Sequence, residues 1–299
     1  MASHRIAVIA GDGIGPEVID EGLRVLDAVA QVAGFECAIE RLPWGCGWYL
    51  RHGAMMPDDA LETLADFDAI YLGAVGDPRI LPEEVGGVGP VLAIRFGFDQ
   101  YANIRPVRPL PGAPYPLVRP APDEIDFTVV REATEGIYVG LGGRFAPDDP
   151  HVAEIAAMRP IFRRSTEIAL QTGVYSEAGC RRVIEHAFGL AERRGGRRLV
   201  TSATKANAMR HGMSLWNDIF DDVAARHPDV EAQWANVDAL AMRFVLRPET
   251  LDVVVAPNLF GDILTDLSAA LIGGLGFAPS ANLSASGGPS MFEPCHGSA

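Results

Sequence analysis

Apolar runs rich in β-branched residues alternate along most of this chain with longer stretches whose apolar positions recur at helical spacing. Residues 6–10 (IAVIA) predict a strand, and residues 16–32 a helix with Pro16 at its start, a position that needs no amide proton. Further strands are predicted at 69–72, 127–131, 198–202 and 251–256. Further helices are predicted at 176–194, at 205–225 and from about 262 to 272. Strands alternating with helices imply an α/β fold with substantial parallel pairing. The Pro/Gly-rich stretch 105–122 reads as a connector placed to cross between domains, and no internal repeat is visible.

Composition narrows the field. The 299 residues are 48% apolar, which is too much for a disordered chain and enough for a large core in one unit or two. No apolar run approaches the roughly 20 residues that span a bilayer, and residues 1–10 lead straight into Gly11-Asp12-Gly13, unlike a secretory signal. A formal charge of −14 argues against binding nucleic acid or an anionic membrane, both of which need a basic footprint. The four cysteines, Cys37, Cys46, Cys180 and Cys295, form no C-x-x-C pair, which fits a reducing, cytoplasmic setting without a disulfide framework or structural zinc.

One compositional fact has chemical content. Of the 25 basic residues, every one but Lys205 is arginine. A coding bias explains the arginines. A lone lysine is either a chance survivor or a group that must be able to release its proton, which guanidinium cannot do. Lys205 lies just past a predicted strand and opens a predicted helix, the edge where α/β sheets place their ligands.

After the first strand comes GDGIGPE (11–17), which resembles G-x-G-x-x-G but carries Pro16 where the third glycine belongs. It therefore supports neither a Rossmann turn nor a P-loop, and a tight strand-to-helix turn accounts for it. A second segment, NLFGDILTD (258–266), follows a buried-looking strand. Asp262 and Asp266 are four apart and share one helix face, where their like charges call for a cation such as Mg²⁺ or Mn²⁺. Asp238 is a candidate third ligand. N-capping by Asp262 with a solvated Asp266 explains the pair equally well. Arg95, Arg105 and Arg131 have the chemistry to hold carboxylates, although most arginines in so arginine-rich a chain are solvated. Tyr138 reads as a proton donor or as a packed aromatic.

Taken together these segments resemble the β-decarboxylating dehydrogenases, the isocitrate/isopropylmalate dehydrogenase family. The resemblance runs over nearly the whole chain. It is carried by GDGIGPE (11–17), by Arg95 with YANIRP (101–106), and by VREATEGIY (130–138). It continues in TKAN (204–207), VDA (237–239), NLFGDILTDL (258–267) and FEPCHGSA (292–299). Residues 131–136, 201–205 and 290–294 look most like the tartrate/D-malate branch, and residues 88–92 offer neither the hydroxyl of isocitrate enzymes nor the glutamate of isopropylmalate enzymes.

The resemblance implies a two-domain, isopropylmalate-dehydrogenase-like α/β fold that is not Rossmann. Residues 1–100 and 273–299 would form the large cofactor-side domain, and 101–272 a small central domain with the dimer interface. It implies oxidative decarboxylation of a small 2-hydroxy diacid, D-malate or tartrate, with hydride passing to NAD, or to NADP. An isopropylmalate or isocitrate substrate is the alternative, and a catalytically silent regulatory subunit the rival of another class. By resemblance, Arg95, Arg105 and Arg131 would hold substrate carboxylates, and Asp238, Asp262 and Asp266 would hold Mg²⁺ or Mn²⁺. A monovalent cation such as K⁺ is a further candidate cofactor. Lys205 would take the hydroxyl proton and Tyr138 would return one after loss of CO₂. Gly11, Gly13, Ile14, Gly15, Asn207, His296, Gly297, Ser298 and Ala299 would touch the cofactor. Lys205 and Asp238 would serve the partner subunit's site, making a cytoplasmic homodimer the active unit. Two departures from the branch are Ala133, where asparagine is usual, and Gly97-Phe98 in place of a more polar pair. Relatives continue past the last block through a P-D-I-x-G segment and closing helices, so the resemblance implies a C-terminally incomplete fold with weak cofactor binding and exposed apolar surface.

Overall fold

The structure, a computed structural model, describes residues 2–82, 89–285 and 287–297. The strands are β1 (Ser3–Gly11), β2 (Glu36–Arg41), β3 (Ala69–Ala74), β4 (Gln100–Val107), β5 (Phe127–Glu132), β6 (Gly142–Phe145), β7 (Ile168–Gln171), β8 (Leu199–Thr204), β9 (Glu231–Asn236), β10 (Val253–Ala256), β11 (Pro279–Ser284) and β12 (Ser290–Pro294). The helices are α1 (Gly15–Ala33), α2 (Cys46–His52), α3 (Ala60–Ala65), α4 (Gly89–Gly97), α5 (Ala153–Met158), α6 (Pro160–Arg163), α7 (Glu177–Arg194), α8 (Arg210–Ala225), α9 (Val237–Leu246) and α10 (Asn258–Leu271).

Among the described residues ten strands form one sheet in the order β2-β1-β3-β12-β11-β4-β5-β10-β8-β9, while β6 and β7 pair separately. The sheet contains two parallel blocks. In the first, β1 pairs in parallel with β2 and β3, and β3 with β12. In the second, β10 pairs in parallel with β5 and β8, and β8 with β9. Between them β11 is antiparallel to β12 and to β4, and β4 is antiparallel to β5. Three antiparallel pairings make the blocks run in opposite senses, so their carboxyl ends, where α/β folds place functional loops, lie on opposite edges of the sheet.

The α/β alternation is as expected, and β1, α1, β3, β5 and α7 lie within a few residues of their predicted bounds. α1 ends at Gly34, whose φ of 75° lets its N–H reach the Ala30 carbonyl. Two helix starts differ from expectation. The helix expected from residue 205 begins at Arg210, and Lys205 instead lies in a turn closed by its own carbonyl, which accepts from the N–H groups of Ala208 (2.9 Å) and Met209 (2.8 Å). The helix expected from about 262 begins at Asn258, with Pro257 at the N-cap. Asp262 is therefore not the cap. The early start places Gly261, a weak helix former, inside the helix, where close packing on β5 outweighs its propensity. The stretch 105–122 also differs: β4 runs through Val107, and the remaining loop joins two neighbouring, paired strands.

Side chains on β5 alternate between two faces. Phe127, with Val129 and Arg131 on the same side, packs edge-on against Phe244 of α9 at 5.2 Å between ring centroids. On the opposite side the Thr128 hydroxyl accepts from Arg194 of α7. The core around β5, β8 and β10 holds Trp216 of α8, fully buried, with its indole N–H donating to Ser202 (2.8 Å). A smaller core lies behind the first block around Ile70, Leu72 and Ile94. Apolar surface is exposed on α1, where Val25 and Val29 line an open groove with Ile6, Leu26, Tyr71 and Phe292. All four cysteines are free, and among the described residues no helix is long and apolar enough to cross a membrane.

His186 of α7 approaches the Tyr101 hydroxyl at 3.3 Å. Burial, reinforced by the positive charge of Arg193, holds its pKa below the ordinary 6.5. A depressed folded-state pKa contributes stability that is present above pH 6.5 and is lost as pH falls through the folded value. Urea midpoints at pH 7.5 and 5.5 should therefore drop less on acidification for His186→Gln than for the parent protein. An equal or larger drop in the variant would show that His186 does not set this part of the acid response.

Candidate active site

Arg131 occupies the next-to-last position of β5 and is almost wholly buried. Burial pushes its pKa down, with the positive charges of Arg95 and Arg105 adding to that effect and Asp262 opposing it. A guanidinium stays protonated even so, and its N–H groups need acceptors. Asn258, the first residue of α10, supplies one. Its side-chain oxygen accepts from Arg131 Nε (3.0 Å) and Nη2 (2.8 Å), while its own Nδ2 donates to the Glu135 carbonyl (3.1 Å). One turn along the helix Asp262 completes an ion pair with Arg131 Nη1. Gly261 allows this approach. A Cβ there would sit 2.6 Å from Arg131 Cγ and 2.7 Å from its Cβ.

Tyr138 belongs to the same cluster. Gly136, at φ 78°, exchanges backbone hydrogen bonds with Val174 and leads into a 3-10 turn at Ile137–Val139. The Tyr138 hydroxyl donates to Asp262 Oδ2 (2.7 Å), and the Arg131 guanidinium stacks 5.3 Å from its ring centroid. Burial is the main cause that raises its pKa, and the Asp262 carboxylate adds to it. Tyr138 is thus a hydrogen-bonded phenol and not simply a packed aromatic.

Arg105 and Arg95 reach the cluster from the other side. Arg105 lies within β4, where its guanidinium meets the Cys295 thiol and its Nε donates to Asn103 (2.8 Å). The Cys295 sulfur is 4.0 Å from Asp266 Oδ1. Arg95, in the last turn of α4, pairs with Glu293 of β12 at 2.6 Å, both side chains largely buried. The structure therefore brings Arg95, Arg105, Arg131, Asp262, Asp266 and Tyr138 into one region, where α10 passes over the face of β4 and β5. No sequence signal marked Asn258, Glu293 and Cys295 as supporting residues. Asn103 alone was detectable, being two residues before Arg105 on the same strand face.

Lys205, Asn207 and Asp238 lie at the carboxyl ends of β8 and β9, the far end of the sheet. Lys205 Nζ pairs with Asp238 at 2.8 Å, and that bond draws the Asp238 pKa down. Asp238 is not grouped with Asp262 and Asp266, and among the described residues no three acidic, histidine or cysteine side chains gather as a metal site. Asp262 and Asp266 by themselves offer two hard oxygen donors on one helix face, which suits Mg²⁺ or Mn²⁺ as part of a larger ligand set.

The glycine turn occupies the opposite edge. Gly11 has φ 74°, and a Cβ on it would lie 2.0 Å from the Ala74 carbonyl oxygen; a Cβ on Gly15 would lie 2.2 Å from that of Ala10. Gly13 is also left-handed, at φ 54°, and Ile14 caps α1 without a side-chain bond. Buried Asp12 cross-ties the neighbouring loops by accepting from the N–H groups of Cys46 (2.8 Å) and Gly76 (2.9 Å). Packing thus accounts for Gly11 and Gly15. His296 and Gly297 follow β12 at this same edge, and Ser298 and Ala299 lie outside the described residues. The fit to a dinucleotide is one of place: the turn and the His296 loop share one edge, whereas Asn207 stands at the other.

Sheet and cluster together define the class, a large α/β protein whose charged site forms where two opposed parallel blocks meet. The chain belongs to the isocitrate/isopropylmalate dehydrogenase family, whose profile matches residues 5–299. It is 46% identical to the D-malate dehydrogenase [decarboxylating] of Escherichia coli (strain K12), over 100% of this chain and 79% of that protein. It is likewise 46% identical to the tartrate dehydrogenase/decarboxylase of Pseudomonas putida, over 99% of this chain and 78% of that protein. The crystal structure of isocitrate dehydrogenase from Methylococcus capsulatus matches with a TM-score of 0.79 at 31% identity, covering 99% of this chain and 78% of that one. The fold is thus the α/β fold of this family.

Gly261→Ala should drive a methyl into the Arg131 side chain and destabilise the protein by about 1–3 kcal/mol, as overpacking of a filled core does. Thermal melting of the variant checks this, and an unchanged midpoint would mean that Arg131 has room to move.

Proposed function

We propose that this protein catalyses oxidative decarboxylation of a small 2-hydroxy diacid, D-malate or tartrate, with hydride transfer to NAD, NADP serving as the alternative acceptor. The observation that carries this reading is the convergence of Arg105, Arg131, Tyr138 and Asp262 at one face, in a chain that is 46% identical to decarboxylating dehydrogenases along its length. Arg95, Arg105 and Arg131 hold the substrate carboxylates, and the bidentate geometry of guanidinium orients them. Asp262 and Asp266, with Asp238 of a second copy, would hold Mg²⁺ or Mn²⁺, which would supply stabilisation of negative charge on substrate oxygen. Gly11, Gly13, Ile14 and Gly15, residues 296–299 and Asn207 of the second copy would hold the dinucleotide, which would supply the hydride acceptor. A monovalent cation such as K⁺ is a further candidate.

Lys205 takes the hydroxyl proton on Nζ, with the Asp238 carboxylate 2.8 Å away to receive the new charge. Tyr138 returns a proton to carbon after CO₂ leaves. Lys205 and Asp238, which lie beyond β8 and β9, complete in this proposal the site of a second copy in a homodimer. Exposed Met242, Leu246 and Ile263 on α9 and α10 support an apolar face for that contact. In this reading residues 1–100 with 273–299 form the cofactor-side domain, 101–272 the central one, and the enzyme works in the cytoplasm.

The full-length protein with Mn²⁺ and NAD⁺ should reduce nicotinamide and release CO₂ from D-malate or tartrate. Much faster turnover of isopropylmalate or isocitrate would reassign the substrate, and no turnover of any of the four would sink the reading. Lys205→Ala and Asp262→Ala chains, each inactive alone, should regain activity when mixed as heterodimers. Well-formed heterodimers that stay inactive would rule out the shared site.

A further inference from the structure

The face of the sheet that carries the candidate substrate arginines holds two wholly buried amides, Asn103 on β4 and Asn282 on β11. They are direct cross-strand partners. Arg105 Nε donates to Asn103 Oδ1 (2.8 Å). Asn103 Nδ2 donates to Asn282 Oδ1 (2.7 Å) and to the Ser280 hydroxyl (2.8 Å). Asn282 Nδ2 donates to Glu293 Oε1 (2.8 Å), the same oxygen that receives Arg95 Nη2 (2.6 Å). A continuous buried chain of polar groups therefore joins Arg105 to Arg95 across three strands.

The chain has only one workable polarity. Guanidinium can only donate, so the Asn103 oxygen must face Arg105. An ionised carboxylate can only accept, so the Asn282 nitrogen must face Glu293. The two ends fix both amides, and the link between them is left with one donor and one acceptor. Rotating either amide would bring like against like twice in a dry region, where an unpaired polar atom is most costly. A diacid is held in one conformer only when both carboxylates are gripped at a set separation, so the arginines that grip them need a fixed spacing.

We propose that Asn103 and Asn282 are positioning residues that lock the spacing of Arg95 and Arg105 and thereby set the enzyme's grip on a dicarboxylate. The proposal rests on the reading of those arginines as substrate ligands given above. Its test uses polarity in place of truncation. Asn282→Asp keeps size and shape but faces a carboxylate with a carboxylate. The exchange variant Asn282→Asp with Glu293→Gln conserves net charge and can remake every bond, since glutamine donates to the new aspartate and accepts from Arg95.

The measurements are KM and kcat of the full-length protein for D-malate, with melting midpoints. Arg105→Gln serves as the reference. Asn282→Asp should raise KM on the order of tenfold, the effect of upsetting a hydrogen bond to a charged group. Its kcat should change by less than about twofold, since the reacting groups are untouched. The exchange variant should bring KM back to within about threefold of the parent. Where Asn282→Asp does not fold, the exchange variant decides alone, by its KM against that of Arg105→Gln. A normal KM in folded Asn282→Asp overturns the proposal, as does an exchange variant that folds but keeps the raised KM. If Arg105→Gln itself leaves KM unchanged, the assignment of the arginines fails first, and the positioning role falls with it.

Discussion

Arg131 carries a charge into the interior at the end of a central strand, and much of the surrounding structure follows from satisfying it. Its N–H groups need acceptors that water cannot supply, and α10 provides them from its first turns through Asn258 and Asp262. That requirement sets where the helix begins and why a glycine lies inside it. It also sets the approach of the 3-10 turn that brings Tyr138 to the same carboxylate. A buried charge with one partner removed is far worse than no charge at all, so these side chains form a unit in which no member can change alone.

The opposed blocks of the sheet set the larger geometry. Functional loops of the first block gather on one edge and those of the second on the other, with β11 and β4 between them. The charged cluster gathers where β5 and β10 reach their carboxyl ends. It lies on the face where the blocks meet, roofed by α10, which is why its arginines come from a helix, a strand interior and a strand end. The Lys205–Asp238 pair lies beyond β8 and β9, toward the far end of the same sheet.

The sequence announced the α/β alternation because its strands are dense in Val, Ile and Ala and its longer helices carry regular apolar stripes. It announced the family because chemistry-bearing blocks stand in a fixed order. It did not announce the polar support. Asn282 and Glu293 look like ordinary loop or surface residues until cross-strand register aligns them with Asn103, and register is not written in local periodicity. The helix starts before Gly261 because that glycine packs directly against the Arg131 side chain, a contact local sequence does not show. The turn at Lys205 was missed because residues 205–209 have the composition of a helix.

The glycine turn after β1 has a consequence of another kind. Gly11 and Gly15 are dictated by the backbones of Ala74 and Ala10, and Asp12 by the amides of two neighbouring loops. Those demands come from the scaffold and would be the same whatever molecule the enzyme turned over. Such a signature answers to the architecture and not to the choice of substrate. The turn reports on the scaffold and is mute about the substrate.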